Sequence, residues 1–198
     1  MKKKIIAAAL CAAMVASSAV YAMAATDTAV PAKASAGQTT ETETAASAQI
    51  FKDVPVNAWY APAVKYVNEK GLFSGTAADT FSPDVNMSRG MFVTALGRAA
   101  GVKPTAADTG FSDVSADRYY APYIKWASDN GIVTGTGNGM FSPDEDVSRE
   151  QMCAILVRFL SEYKKFDLSA YKSGSAVFSD ASEISSWAKD AVRTAQLM

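Results

Sequence analysis

Residues 81–89 read Phe81-Ser82-Pro83-Asp84-Val85-Asn86-Met87-Ser88-Arg89, and residues 141–149 read Phe141-Ser142-Pro143-Asp144-Glu145-Asp146-Val147-Ser148-Arg149. The match extends outward from there. Laid without a gap at an offset of 60, residues 51–100 and 111–160 share 18 of 50 positions. Phe51-x-Asp53-Val54 returns as Phe111-x-Asp113-Val114, and Trp59-Tyr60-Ala61-Pro62 as Tyr119-Tyr120-Ala121-Pro122. Gly71 and Gly75-Thr76 return as Gly131 and Gly135-Thr136. A third copy opens at Phe178-Ser179-Asp180 and reaches Met198 inside its first helix, with Trp187 one place later than the pattern asks. Periods of this size mean stacked supersecondary units that share a core.

Each unit reads as helix, loop, helix with short extended pieces, so the fold class is all-α. The first helix is predicted from about Trp59 to Lys70, with Pro62 in the first turn, where a missing N–H is harmless. Trp59, Ala63 and Val67 then share a face, and Gly71 ends the helix. Leu72-Phe73, or Ile132-Val133, is a short apolar extended piece ahead of a Gly-rich polar loop. The second helix opens after Ser88 or Ser148 as N-cap. Gln151 completes a capping box in copy two. The apolar stripe there is Met152, Ile155, Leu156, Phe159 and Leu160. In copy one it is Phe92, Ala95, Leu96, Ala99 and Ala100, which is smaller and predicts a thinner core. The predicted units are 51–110, 111–170 and a partial 171–198.

Composition narrows the chemistry. The chain has no His and only two Cys in 198 residues. That excludes a Ser-His-Asp triad, a Cys-His dyad, His-ligated zinc and a disulfide framework. A net charge of -1 gives no basic field for nucleic acid. Carboxylate pairs are the remaining route to an enzyme. Asp84, Asp144 and Asp146 lie on Ser-Pro-Asp turns and polar loops, where turn roles are usual. Gly135-Thr136-Gly137-Asn138-Gly139 leads into Met140-Phe141 rather than a helix, so it fails as a phosphate loop. Asp144-Glu145-Asp146 lacks the other ligands of a calcium loop. The reading is a binding module, not an enzyme, with no cofactor and no metal.

Residues 1–24 have the make-up of a secretory signal peptide: Lys2, Lys3 and Lys4, an uncharged stretch from Ile5 to Val20, then Ala22-Met23-Ala24. Export is expected, with contact to a membrane only through this segment. Cys11 leaves with it, and Cys153 is expected to be buried on a helix face. Residues 25–50 are rich in Ala, Thr and Ser without an aromatic, which predicts a flexible tether.

Arg89 and Arg149 break a local rule. Each stands at the first position of a predicted helix, where a cation costs about 0.3–1 kcal/mol. Two explanations compete. In one, the guanidinium and nearby backbone N–H groups form a receptor for a carboxylate or phosphate, with Ser88 and Ser148 beside it and Gly75 and Gly135 letting a ligand close to the backbone. In the other, each Arg pairs with a structural carboxylate such as Asp53 or Asp113. The aromatics Trp59, Tyr60, Tyr119, Tyr120 and Trp187 are read mainly as core. Exposed members among them suit stacking on a sugar ring.

These residues together resemble the S-layer homology family: Phe51-x-Asp53-Val54, Trp59, Gly71, Gly75, Phe81-x-Pro83 and Ser88-Arg89, with their partners in copy two. The resemblance implies three repeats in a pseudo-threefold helical assembly, here with an incomplete third, and ligand grooves between neighbours. It implies noncovalent anchoring of an exported protein to the bacterial cell wall. The partner would be an anionic, pyruvylated secondary cell wall polysaccharide or another peptidoglycan-linked glycan. In that family a Thr-Arg-Ala-Glu motif opens the second helix, and its Arg contacts the anion, which falls on Arg89 and Arg149. Gly90-Met91 departs from the motif and Glu150-Gln151 is closer, so Arg149 is preferred over Arg89. The expected ligand residues are Arg149, Arg89, Ser148, Ser88, Gly135, Gly75, Asp113, Asp53, Trp59 and Tyr119. The alternative is a self-assembling surface-layer protein that works through contacts with other surface-layer chains.

Overall fold

The structure is a computed structural model that describes residues 50–106, 108–171, 173–174 and 178–198. The expected signal peptide, and the tether except for Ile50, lie outside the described residues. Among the described residues five α-helices follow in order: α1 Ala61–Glu69, α2 Arg89–Ala100, α3 Ala121–Asp129, α4 Arg149–Arg158 and α5 Lys189–Leu197. Repeat 1 holds α1 and α2, repeat 2 holds α3 and α4, and α5 begins the third copy. No strand occurs among the described residues, only isolated bridges at Ala77 with Thr80, Gly137 with Met140, and Ser88 with Asp146.

Local signals set the helix ends. Ser88 Oγ accepts from Met91 N at 3.3 Å and Ser148 Oγ from Gln151 N at 3.2 Å. Gln151 Oε1 accepts from Ser148 N in return, completing the box in repeat 2. Gly71 and Gly131 both have φ of +66°. Leu72 N reaches back to Val67 O, and Ile132 N to Ala127 O, which is the glycine-ended helix terminus.

Packing corrects three expectations. The first helices begin two residues later than read, because Trp59-Tyr60 and Tyr119-Tyr120 form the entering turn. The inward face is therefore Tyr60, Val64 and Val67 rather than Trp59, Ala63 and Val67; Trp59 is 67% exposed. The second correction concerns α4, which ends at Arg158 and continues as one π-helical turn over Phe159–Tyr163. Phe159 and Leu160 stay buried there, and Trp126, Phe159 and Tyr163 form an aromatic cluster.

The third correction is the core around α2. Its side chains are small, yet α2 is the more buried second helix, with eight buried residues against three in α4. Gly97 is the reason. A Cβ there would meet the Tyr123 ring at 2.3 Å, so the missing side chain lets α3 lie close to α2. Small residues draw helix axes together, and the aromatic partner fills the volume. Cys153 is half-buried on α4. At the end of the chain, Leu197 packs over Gly174 while Met198 is exposed.

Candidate functional site

Each repeat is tied head to tail by one carboxylate. Asp53 Oδ1 accepts from Phe81 N at 2.8 Å and its Oδ2 from Ser82 N at 2.6 Å. Asp113 does the same with Phe141 N at 2.8 Å and Ser142 N at 2.7 Å. Ser82 and Ser142 are held at φ of +62° and +57°, a left-handed conformation that costs a non-glycine residue about 1 kcal/mol or more. Two charge-assisted hydrogen bonds per carboxylate offset that cost. Donation from Phe81 N–H holds the Asp53 carboxyl below the usual carboxylate range. Both carboxylates thus have their oxygens engaged by backbone.

Arg89 connects the repeats. Its side chain leaves α2 and lies against repeat 2, with Nε donating to Phe141 O at 3.0 Å and the guanidinium carbon 4.7 Å from the Phe141 ring centroid. Phe141 is therefore gripped at its N–H by Asp113 and at its carbonyl by Arg89. No Arg89–carboxylate salt bridge forms among the described residues. Burial pulls the Arg89 guanidinium below the usual arginine value, and the Asp113 charge pulls it partway back. An arginine in this position stays cationic at neutral pH.

The backbone at the start of α2 is also occupied. Arg89 N donates to Glu145 O at 2.9 Å and Gly90 N to Pro143 O at 2.8 Å. A Cβ on Gly90 would lie 2.9 Å from the Tyr120 ring and 3.0 Å from Pro143 O, which accounts for a glycine where the motif of the resembled family has alanine. The N–H groups expected to receive an anion at Arg89 thus carry the repeat-to-repeat contact instead.

Arg89 also lines a cleft of about 330 Å³ built from three units. Repeat 1 supplies Arg89. Repeat 2 supplies Thr134, Gly135 and Thr136 from its loop, and Gln151 and Arg158 from α4. The third copy supplies Trp187. No acidic side chain lines it, so two guanidiniums, threonine hydroxyls, an amide and an indole face one space. Gln151 spends its Oε1 on the capping box, which leaves its NH₂ to donate. Trp187 is 57% exposed. This set can hold a carboxylate or phosphate between two cations and lay an apolar ring face on the indole.

The structure thus gathers Arg89 and Gly135 from the sequence-expected residues and leaves the others apart. Arg149 is exposed on the N-terminal turn of α4 and is not among the residues that line this cleft. Placement favours Arg89, the reverse of the sequence preference. Ser88 and Ser148 are N-caps. Gly75 and Gly135 are demanded by their own loops: a Cβ would lie 2.4 Å from Thr80 O or Met140 O. Trp59 and Tyr119 are exposed, each edge-on to the tyrosine that follows it.

Sequence reasoning missed Arg158, Thr134 and Thr136 as cleft residues. Arg158 repeats Arg98 at the same offset of 60, and Thr136 repeats Thr76, so the repeat itself carried the signal. Arg98 bonds Leu72 O at 3.1 Å and Ser74 Oγ at 3.4 Å.

The S-layer homology domain model matches residues 50–90 and 110–153. An endoglucanase of Bacillus sp. (strain KSM-635) is 36% identical over 156 residues, covering 79% of this chain and 16% of that enzyme. The S-layer protein sap of Bacillus anthracis is 29% identical over 152 residues, 74% of this chain and 17% of that protein. The cellulosome-anchoring protein of Acetivibrio thermocellus is 30% identical over 117 residues, 56% of this chain and 26% of the relative. The chain thus spans about a sixth of the endoglucanase and of the S-layer protein. Among the described residues no helix is long and apolar enough to cross a membrane. The chain carries S-layer homology repeats at residues 50–90 and 110–153, those of a secreted cell-surface protein.

Proposed function

We propose that the chain anchors an exported protein noncovalently to the bacterial cell wall by holding an anionic secondary cell wall polysaccharide in the Arg89–Arg158–Trp187 cleft. The observation that carries this is the cleft's lining: two arginines, no carboxylate and an exposed indole. A glycan bearing a carboxylate, such as a ketal-linked pyruvate, meets each of these features. Its anion sits between the guanidiniums, its hydroxyls meet Thr134, Thr136 and Gln151, and its apolar ring face lies on Trp187. Relatives named as S-layer and cellulosome-anchoring proteins support the same role. The endoglucanase shares only a small part of its length, so its catalysis is not part of this reading.

A pseudo-threefold arrangement belongs with it. Helix α2 packs on α3, and α4 on α5, which are two like steps from one unit to the next. The cleft draws on both steps, so it needs Trp187 from the turn that leads into the third copy's first helix.

The test is co-sedimentation of the full chain with isolated Gram-positive-type walls, before and after the secondary polymer is stripped. Binding is expected to vanish with the polymer. Arg158→Ala and Trp187→Ala are each expected to weaken it about tenfold or more. Full binding to stripped walls would replace the polymer with peptidoglycan as ligand. Full binding by both variants would remove the cleft from the account.

A further inference from the structure

The two seams between units settle one contact in opposite ways. At the first seam the second residue of α2 is Gly90 and the N-cap of α3 is Tyr120. A Cβ on Gly90 would lie 2.9 Å from the Tyr120 ring, so a large cap residue is matched by a missing side chain. At the second seam the sizes are exchanged. The second residue of α4 is Glu150, and the N-cap of α5 is Ala188, which is fully buried. Glu150 reaches from α4 to the third copy, where its Oε1 accepts from Ser185 N at 2.6 Å.

The exchange bears on Trp187. Each first helix has an exposed aromatic directly before its N-cap: Trp59, Tyr119 and Trp187. Trp59 lies edge-on to Tyr60, with ring centroids 5.5 Å apart, and Tyr119 to Tyr120 at 4.9 Å. Alanine at 188 offers no ring, so Trp187 needs another brace. It rides on the turn from Ser185 to Ala188, which closes through Ala188 N donating to Ser185 O at 2.9 Å. Burial of Ala188 fixes one end of that turn. The charge-assisted bond to Glu150 fixes the other.

We propose that Glu150 is the positioning residue for Trp187: its carboxylate pins the turn that presents the indole to the cleft of Arg89 and Arg158. The role rests on the glycan reading of that cleft. Glu150 is not among the lining residues, so it acts through Trp187. An indole already held in place meets a sugar ring without the entropic cost of immobilising it on binding. The sign of the charge effect separates this role from simple electrostatics. Glu150 is next in sequence to Gln151, which lines the cationic cleft, and a carboxylate there opposes an incoming anion. Deleting it would tighten polymer binding by charge alone. Loss of positioning weakens binding instead.

Two readouts on the full chain test it, the first without glycan. NMR relaxation of the indole N–H groups follows each tryptophan. In Glu150→Ala the Trp187 order parameter is expected to fall into the flexible range, below about 0.6, while Trp59 and Trp126 keep theirs. In Glu150→Gln, whose amide oxygen still accepts from Ser185 N, it is expected to stay at the parent value. The second readout is calorimetric titration with the polymer fraction stripped from Gram-positive-type walls. Glu150→Ala is expected to weaken binding about threefold or more. Glu150→Gln is expected to bind within about twofold of the parent. In a Trp187→Ala background, Glu150→Ala is expected to add no further loss. The proposal is overturned by an unchanged Trp187 indole in Glu150→Ala, or by polymer binding of that variant as tight as the parent's or tighter. It is also overturned by a Gln variant that behaves as the Ala variant, or by equal losses with and without Trp187. A Glu150→Ala chain that circular dichroism shows unfolded overturns it too, since the residue would then serve general stability. A parent that does not bind the polymer ends the glycan reading, and the indole measurement alone then decides whether Glu150 places Trp187.

Discussion

Repeats 1 and 2 are built from the same local parts and end in different situations. Both have a Ser-capped second helix, a glycine-ended first helix and a carboxylate latch onto the Phe-Ser-Pro-Asp segment. In repeat 2 the first helix is covered, and Tyr120, Ala121, Ile124 and Phe141 join the main core. In repeat 1 the equivalent region keeps a core of its own, centred on Phe51, Val54 and Val64. The arginines divide the same way. Arg89 has a following repeat to lie against and is 5% exposed; Arg149 is exposed at the start of α4. Equal local sequence therefore gives unequal residues, because a repeat's surroundings come from its neighbour.

The largest expected effect contrasts these arginines directly. Arg89→Ala strips the donor from Phe141 O and the cation from its ring, and is expected to cost about 2–4 kcal/mol by urea unfolding. Arg149→Ala should lie within about 0.5 kcal/mol of the parent, as surface changes do. Equal losses would break the comparison.

The α2–α3 contact gives the next test. Gly97→Ala removes a helix-weakening glycine, which by propensity alone would stabilise by about 1 kcal/mol. The Tyr123 ring occupies the space, so net destabilisation of about 1–3 kcal/mol is expected. A higher melting temperature for this variant would show that the close approach at Gly97 has been misread.

Asp113→Asn should lower stability more than Asp53→Asn, because its latch holds the segment on which Arg89 and the cleft depend. The urea midpoints of the two variants give the order. Equal midpoints would mean that the latches work independently of the repeat interface.

The smallest effect is on pH dependence. The Asp53 carboxyl is held below its usual value by Phe81 N–H. Its stabilising contribution is complete above the unfolded value near about 4 and is lost as pH falls through the depressed folded value. Urea midpoints measured from pH 6 to pH 2 should fall less steeply in Asp53→Asn than in the parent. Parallel curves would remove this latch from the acid response.

Much of the unit was legible because its signals are local. Ser88, Ser148, Gln151, Gly71 and Gly131 act within a few residues of themselves, and the structure places them as read. The face of the first helix was misjudged because Trp59 looks like a core residue by type. Burial depends on which side the chain enters from, and a shift of one residue exchanged Trp59 for Tyr60. The thin core expected around α2 failed for a related reason. Side-chain volume along one helix says nothing of how near the next helix comes.

The candidate site was legible in part. The rule broken by an arginine at a helix start pointed to Arg89 and Arg149 together. It did not separate them, and the motif match at Glu150-Gln151 pointed to Arg149, which does not line this cleft. Arg158 and Trp187 were visible as repeated or unusual residues, but nothing local linked them to Arg89.

The sequence by itself determined the helical repeat, its caps and stops, the absence of histidine chemistry and the family. These follow from residue identity and short spacing, which act before any tertiary contact exists. Only the tertiary structure decided which arginine faces a cleft, that the latching carboxylates are occupied by backbone, and that Trp187 completes the cationic wall. Those outcomes depend on residues from three units meeting across 98 positions between Arg89 and Trp187, and the helix-to-helix packing that brings them together is a property of the neighbours, not of any one repeat.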